Sequence, residues 1–173
     1  MMVTVDGYFE GLEHDISWHN VDAEFNTFAD KQLEEEIGTL LFGHRTYDLM
    51  ASFWPKSDSP TAQLMNSMPK IVASHHAFQP EWENTTVVSE NVIGEIEKLK
   101  AQPGKDIAIF GSDILCVSLM EKGLIDEFRI MVNPVALGAG TSLFAGLSKR
   151  VNLKLIKTRE FSSGNVLHYY SLG

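Results

Sequence analysis

The chain has 173 residues, 44% of them hydrophobic and 21% charged, the proportions of one globular domain able to bury a single sizeable core. Its 14 basic and 23 acidic residues give a net charge of −9, which argues against nucleic acid or an anionic membrane as partner. A lone cysteine, Cys116, excludes an intrachain disulfide and a thiolate zinc site.

In chain order, residues 1–5 form a short apolar strand that meets the turn pair Asp6-Gly7. Residues 12–20 make a polar loop with Trp18, His14 and His19; the histidine spacing is not that of a helical metal pair, and no metal site is expected. Asp22 is an N-cap for a helix whose apolar face is Phe25, Phe28, Ala29, Leu33 and Ile37, stopped by Gly38. Residues 39–42 read as a buried strand, and Gly43-His44-Arg45-Thr46 turns from it into a helix carrying Tyr47, Met50, Ala51 and Trp54 on one face until Pro55. Positive side chains at that helix start oppose its macrodipole, so the fold gains nothing from them, whereas a bound phosphate would. A short helix begins at Ser59-Pro60, a strand covers 70–74, and Ser74, His75 and His76 follow at its end.

A fourth strand spans 85–88, and Asn91 caps a helix over 92–100. Residues 107–110 are a buried strand, Gly111-Ser112-Asp113 turns into a helix with Ile114, Leu115, Ser118 and Leu119 on one face, and Gly123 ends it. Cys116 lies in that helix, where a small buried hydrophobe is the simpler reading than a nucleophile. A strand over 128–132 stops before Pro134. Gly138-Ala139-Gly140 lacks a third glycine and a following helix, so it is a loop and not a dinucleotide fingerprint. Segments 151–161 and 166–172 flank Ser162-Ser163-Gly164-Asn165 as a long antiparallel hairpin. The expected architecture is a single α/β domain over residues 1–173: a mixed, mostly parallel sheet flanked by helices, with a C-terminal antiparallel hairpin. With no signal region and no apolar run of spanning length, the expected compartment is the cytoplasm.

Three stretches carry a resemblance: TVDGYFEG at 4–11, LLFGHRTYDLM at 40–50, and GSDIL, GLIDEF and PVALGAGTSLF between 111 and 144. In this order they resemble the dihydrofolate-reductase-like family, in the branch of the riboflavin-biosynthesis reductase domain and its stand-alone relatives. The resemblance implies NADPH as cofactor and hydride transfer to a small heterocyclic or carbonyl substrate. It assigns the cofactor to Gly43, His44, Arg45, Thr46, Ser74, His75, Gly111, Ser112, Asp113 and Ile114, with Arg45 and Thr46 foremost at the 2′-phosphate. Many relatives have Gly-Gly where this chain has Gly111-Ser112; a serine hydroxyl there can donate to phosphate, while the Asp113 carboxylate opposes it. The nicotinamide would lie near Asp6-Gly7 and Val135-Ala136, and the substrate against Trp18, Phe25 and Trp54, with Asp6 and Asp22 as candidate proton donors. A homodimer is expected, because the 128–132 strand and the terminal hairpin carry more apolar residues than one core covers. The alternative is a non-catalytic small-molecule-binding or self-associating protein on the same fold.

Overall fold

In the computed structural model, which describes residues 1–111 and 113–173, the elements in chain order are β1 (Met2–Thr4), β2 (Tyr8–Glu10), α1 (Ala23–Glu35), β3 (Ile37–Gly43), α2 (His44–Phe53), α3 (Pro60–Ser67), β4 (Lys70–Ala73), β5 (Thr85–Val88), α4 (Val92–Lys100), β6 (Asp106–Ile109), α5 (Asp113–Glu121), β7 (Phe128–Asn133), β8 (Thr141–Ser142), β9 (Leu153–Glu160) and β10 (Val166–Leu172). The class is α/β, and the chain falls into two compact units, one of residues 26–115 and one of residues 1–25 with 116–173.

The 26–115 unit is a parallel sheet in the order β5-β4-β3-β6. Strands covered on both faces need continuous apolar runs, and Leu40, Leu41, Phe42 and Val72 are each at most 1% exposed. Tyr47 and Met65 from α2 and α3 join Phe42, Val72 and Trp82 in its core. The register sets Gly43 beside Ala73 and Leu41 beside Ile109, so the carboxyl ends of β3, β4 and β6 finish at one edge. Turns that follow such strands converge at that edge, where α/β sheets present their ligand crevice.

At the opposite edge Lys70 is 1% exposed. Its ammonium donates to Met68 O at 2.7 Å and Asn66 O at 3.1 Å and lies 4.6 Å from the Trp82 ring centre. Trp82 is fixed in turn, its backbone N–H donating to the Tyr47 hydroxyl and its indole N–H to Asn66 Oδ1.

The other unit has the order β1-β7-β10-β9, with β1 parallel to β7 and the remaining pairs antiparallel. Phe9 of β2 and Leu143, just after β8, form a core with Val3. The terminal hairpin closes as expected, with Gly164 at φ +86° in its turn and Phe161 N–H donating to Asn165 O.

Several local expectations are corrected. Helix α1 ends at Glu35, so Ile37 and Gly38 belong to β3, where Ile37 pairs with Asp106. The Asn91 side chain makes no cap bond, because φ +47° turns its amide against Gly94. Strand β9 starts at Leu153 and not at residue 151. Ile114 is 73% exposed and Ser118 is exposed, while Leu115, Cys116, Val117, Leu119 and Met120 are buried. Strands β2 and β8 were not anticipated; at three and two residues they are too short for period-two alternation to register. No helix among the described residues is long and apolar enough to cross a membrane.

Candidate functional site

Two strand–glycine–helix turns meet at the carboxyl edge of the parallel sheet. Helix α2 starts at once after β3, with Gly43 as a N-cap that offers no side-chain bond to the first-turn N–H groups. Beyond β6, Gly111 holds φ +85°, and a Cβ there would stand 3.0 Å from Thr46 Cγ2 and 3.3 Å from Thr46 Oγ1. A side chain at this position would be strained by its backbone and would press on Thr46. The turn after β6 thus lies against the first turn of the ten-residue helix α2, at the positive end of its dipole. Arg45 projects from the same first turn and is exposed.

His44 and Ser74 join the ends of β3 and β4. Ser74 Oγ donates to His76 O at 2.7 Å and accepts from His76 N–H at 3.2 Å. With the only hydroxyl proton so used, the 3.1 Å contact to His44 Nδ1 requires that nitrogen to be the donor. The His44 ring stacks on Phe78 at 4.1 Å and turns Nε2 toward Asp48 at 3.7 Å. These two residues thus tie the ends of β3 and β4 together beside Arg45 and Thr46. His75 is exposed beside them. Asp113 opens α5, and the exposed Ile114 follows it; Ser112 lies outside the described residues.

In the other unit Asp6 is a clamp. Its carboxylate accepts from Thr4 Oγ1 at 2.6 Å, Gly138 N–H at 2.7 Å and Leu137 N–H at 3.1 Å. The Thr4 hydroxyl first and the Gly138 N–H second hold its carboxyl below the usual aspartate value. Through these bonds Asp6 ties the 5–7 turn to the 135–140 loop. Asp22 does cap α1, Oδ1 accepting from Phe25 N–H at 2.8 Å. Phe25 is half-buried, 6.3 Å from Phe161, and Trp18 donates its indole N–H to Asp15 O. Trp54 instead packs on the parallel-sheet core with its indole N–H on Met50 Sδ at 3.1 Å, about 15 Å along α2 from the glycine turn. It is not among the residues gathered at that turn.

The segment leading into α1 is fixed by buried amides. Asn133 and Asn165 are 0% exposed. Asn20 N–H donates to Asn133 Oδ1 at 3.0 Å, and Asn165 Nδ2 donates to Asn20 O at 2.7 Å. Their role was not read from the sequence, where asparagine beside a proline and after a glycine looks like ordinary turn chemistry. A cavity of about 310 Å³ lined by Met120, Gly123, Lys149, Arg150 and Leu172 contains none of the site residues. No group of three or more metal-ligating side chains occurs among the described residues.

A parallel sheet with a ligand-ready carboxyl edge, followed by an antiparallel finish, defines the dihydrofolate-reductase-like fold. Dihydrofolate reductase from Enterococcus faecalis, complexed with NADP(H), superposes with a TM-score of 0.67 at 16% identity, over 99% of this chain and 93% of that one. The Thermotoga maritima diaminohydroxyphosphoribosylaminopyrimidine deaminase/5-amino-6-(5-phosphoribosylamino)uracil reductase gives 0.70 at 14% identity, over 99% of this chain and 55% of that one. Within that fold the chain belongs to the RibD C-terminal domain family, whose model matches residues 1–167. The uncharacterized protein YyaP of Bacillus subtilis is 36% identical over 176 residues, covering 98% of this chain and 91% of that protein.

Proposed function

We propose that this protein is an NADPH-dependent reductase of a small heterocyclic or carbonyl substrate. The observation that carries the reading is the approach of Thr46 to Gly111, which joins two glycine turns at one uncapped helix start, where a phosphate would find a helix N-terminus with Arg45 beside it. Membership of the RibD C-terminal domain family and the reductases that share the fold support the same reading. Arg45 and Thr46 would hold the 2′-phosphate, Gly111 would admit the pyrophosphate, and His44 and Ser74 would keep the ends of β3 and β4 together beside them. When bound, the reduced nicotinamide supplies the hydride. Asp22 keeps its second carboxylate oxygen available beyond the cap bond and remains a candidate to position substrate with Trp18 and Phe25.

The test is titration with NADPH and NADH, followed by tryptophan fluorescence, in the wild type and in Arg45→Ala. A charge-assisted bond to phosphate is worth about 1.5–3 kcal/mol, so the variant should lose roughly ten- to a hundredfold in NADPH affinity. NADH, lacking the 2′-phosphate, should hardly respond, and the ratio cancels general damage. Equal loss for both cofactors makes Arg45 structural; a wild type that binds neither favours a binding protein without hydride chemistry.

A further inference from the structure

Residues 15–22 lead from the turn after β2 to α1 as a strap whose two ends are tied locally. At one end Gly11 N–H donates to Asp15 O at 2.8 Å and Asp15 N–H to Leu12 O at 3.1 Å, next to the left-handed Glu13 and His14. At the other, Asp22 caps α1 through Phe25 N–H. Between them the N–H groups of Ser17 and His19 and the Trp18 indole N–H all bond within the strap.

A single residue fastens the strap to the rest of its unit. Among the described residues, every hydrogen bond from 15–22 to a distant part of the chain runs through Asn20. Its backbone N–H donates to Asn133 Oδ1 at 3.0 Å, its Nδ2 donates to Ser163 O at 3.0 Å, and its O accepts from Asn165 Nδ2 at 2.7 Å. The socket is held independently: Asn133 and Asn165 are 0% exposed, and Phe161 N–H on Asn165 O and Gly164 N–H on Phe161 O close the hairpin turn. Yet the same junction leaves polar atoms unpaired. Among the described residues, His19 Nε2, Ser163 Oγ and Asn165 Oδ1 are buried without a hydrogen-bond partner. All three belong to neighbours of Asn20, one beside it in the chain and two across the latch. Burial also holds the His19 imidazole below its ordinary value, the direction set by lost hydration. An internal hydrogen bond replaces one made to water and gains little, whereas a buried group with no partner forfeits its whole hydration. Three bonds set against three such atoms leave the polar contacts of the latch close to balance.

We propose that residues 15–22 exchange between this latched form and an open form, in which Asn20 lets go and water pairs the three atoms. The tied ends at Asp15 and Asp22 stay in place. Trp18 and His19, whose rings meet edge-on with centroids 4.5 Å apart, move with the strap as one piece. Opening hydrates the Asn165 amide and the Ser163 hydroxyl, which makes the strap a gate to them. The device belongs to one unit of the chain and holds with or without hydride chemistry.

The test is amide hydrogen exchange of the full chain, read residue by residue by NMR in a series of urea concentrations below the unfolding transition. In the wild type the Asn20 N–H should exchange faster than the amides of the β7–β10 ladder. Its rate should hardly change with urea, because opening a strap exposes little surface. Ser163→Ala removes one unpaired atom and keeps the backbone carbonyl that Asn20 uses. It should slow Asn20 exchange relative to the ladder by about tenfold, the factor given by 1.4 kcal/mol. If Asn20 exchanges with the rate and urea dependence of the ladder, the strap opens only on global unfolding, which overturns the proposal. So does unchanged or faster Asn20 exchange in Ser163→Ala, since the hydroxyl then has a partner in the latched form. The wild-type urea series decides even where Ser163→Ala fails to fold.

Discussion

Lys70 makes stability respond to alkaline pH in a direction opposite to general deprotonation damage. Burial lowers its ammonium to about 8 from the ordinary 10.5, and the Glu83 carboxylate offsets only part of this. Below about pH 8 the ammonium is charged in both folded and unfolded chains, so its burial cost is constant. Between about 8 and 10.5 the unfolded chain binds more protons than the folded one, and stability rises by up to about 1.4 kcal/mol per pH unit. Across that interval the gain is about 3 kcal/mol from this group, to order of magnitude. Above it both forms are neutral and the gain is complete. Tyrosines and exposed lysines also titrate there, so the diagnostic quantity is a difference. Urea unfolding of the wild type and of Lys70→Met at pH 7.0 to 10, about half a unit apart, gives the two stability curves. The wild type should gain on Lys70→Met steadily above about pH 8. Parallel curves would refute the reasoning, because an ammonium that water reaches has no burial cost to lose.

Gly111→Ala combines left-handed strain of roughly 1–2 kcal/mol with the Thr46 contact; Gly111→Ala/Thr46→Ser should recover the contact part alone, read by thermal unfolding and NADPH titration. For Asp6, whose carboxyl is lowered in the fold, the contribution is present above the ordinary aspartate range and is lost as pH falls through the lowered value. The stability difference between wild type and Asp6→Asn should therefore be flat at neutral pH and shrink in acid; a difference independent of pH assigns the clamp to its neutral contacts. Asn165→Ala removes the donor to Asn20 O from a fully buried position and should destabilise by about 1–3 kcal/mol in denaturant unfolding. Sedimentation at micromolar concentration should give the mass of two chains, since β9 leaves Leu155 and Ile156 each 52% exposed; the mass of one chain refutes the dimer.

The parts legible in the sequence are those set by near neighbours in the chain. Leu40 to Phe42 announces a doubly covered strand because a parallel sheet tolerates no polar face, and Gly43 marks its end. Asp22 announces its cap because the partner N–H is three residues away. The same locality misled at Ile37, whose spacing continues the α1 stripe although the β3 ladder claims it through Asp106. It misled again at Ile114, where an apolar residue of a helix start faces outward beside the glycine turn.

The chemistry of single carboxylates was not legible, because partners distant in sequence decide it. Asp6 and Glu10 stand four residues apart, yet different partners surround them. Asp6 receives two backbone N–H groups from residues 137 and 138, which make it a tie between segments. Glu10, buried on β2, accepts from the Thr141 hydroxyl and faces His14 Nδ1. A sequence reading weights Asp6, since Asp-Gly is a conspicuous turn, and passes over an acidic residue at the end of a three-residue strand. The spacing of Glu10 and His14 was visible, but i and i+4 implies proximity only on a helix. Here the two left-handed residues at 13 and 14 bring the ring back to the strand, which a pattern of side chains does not disclose.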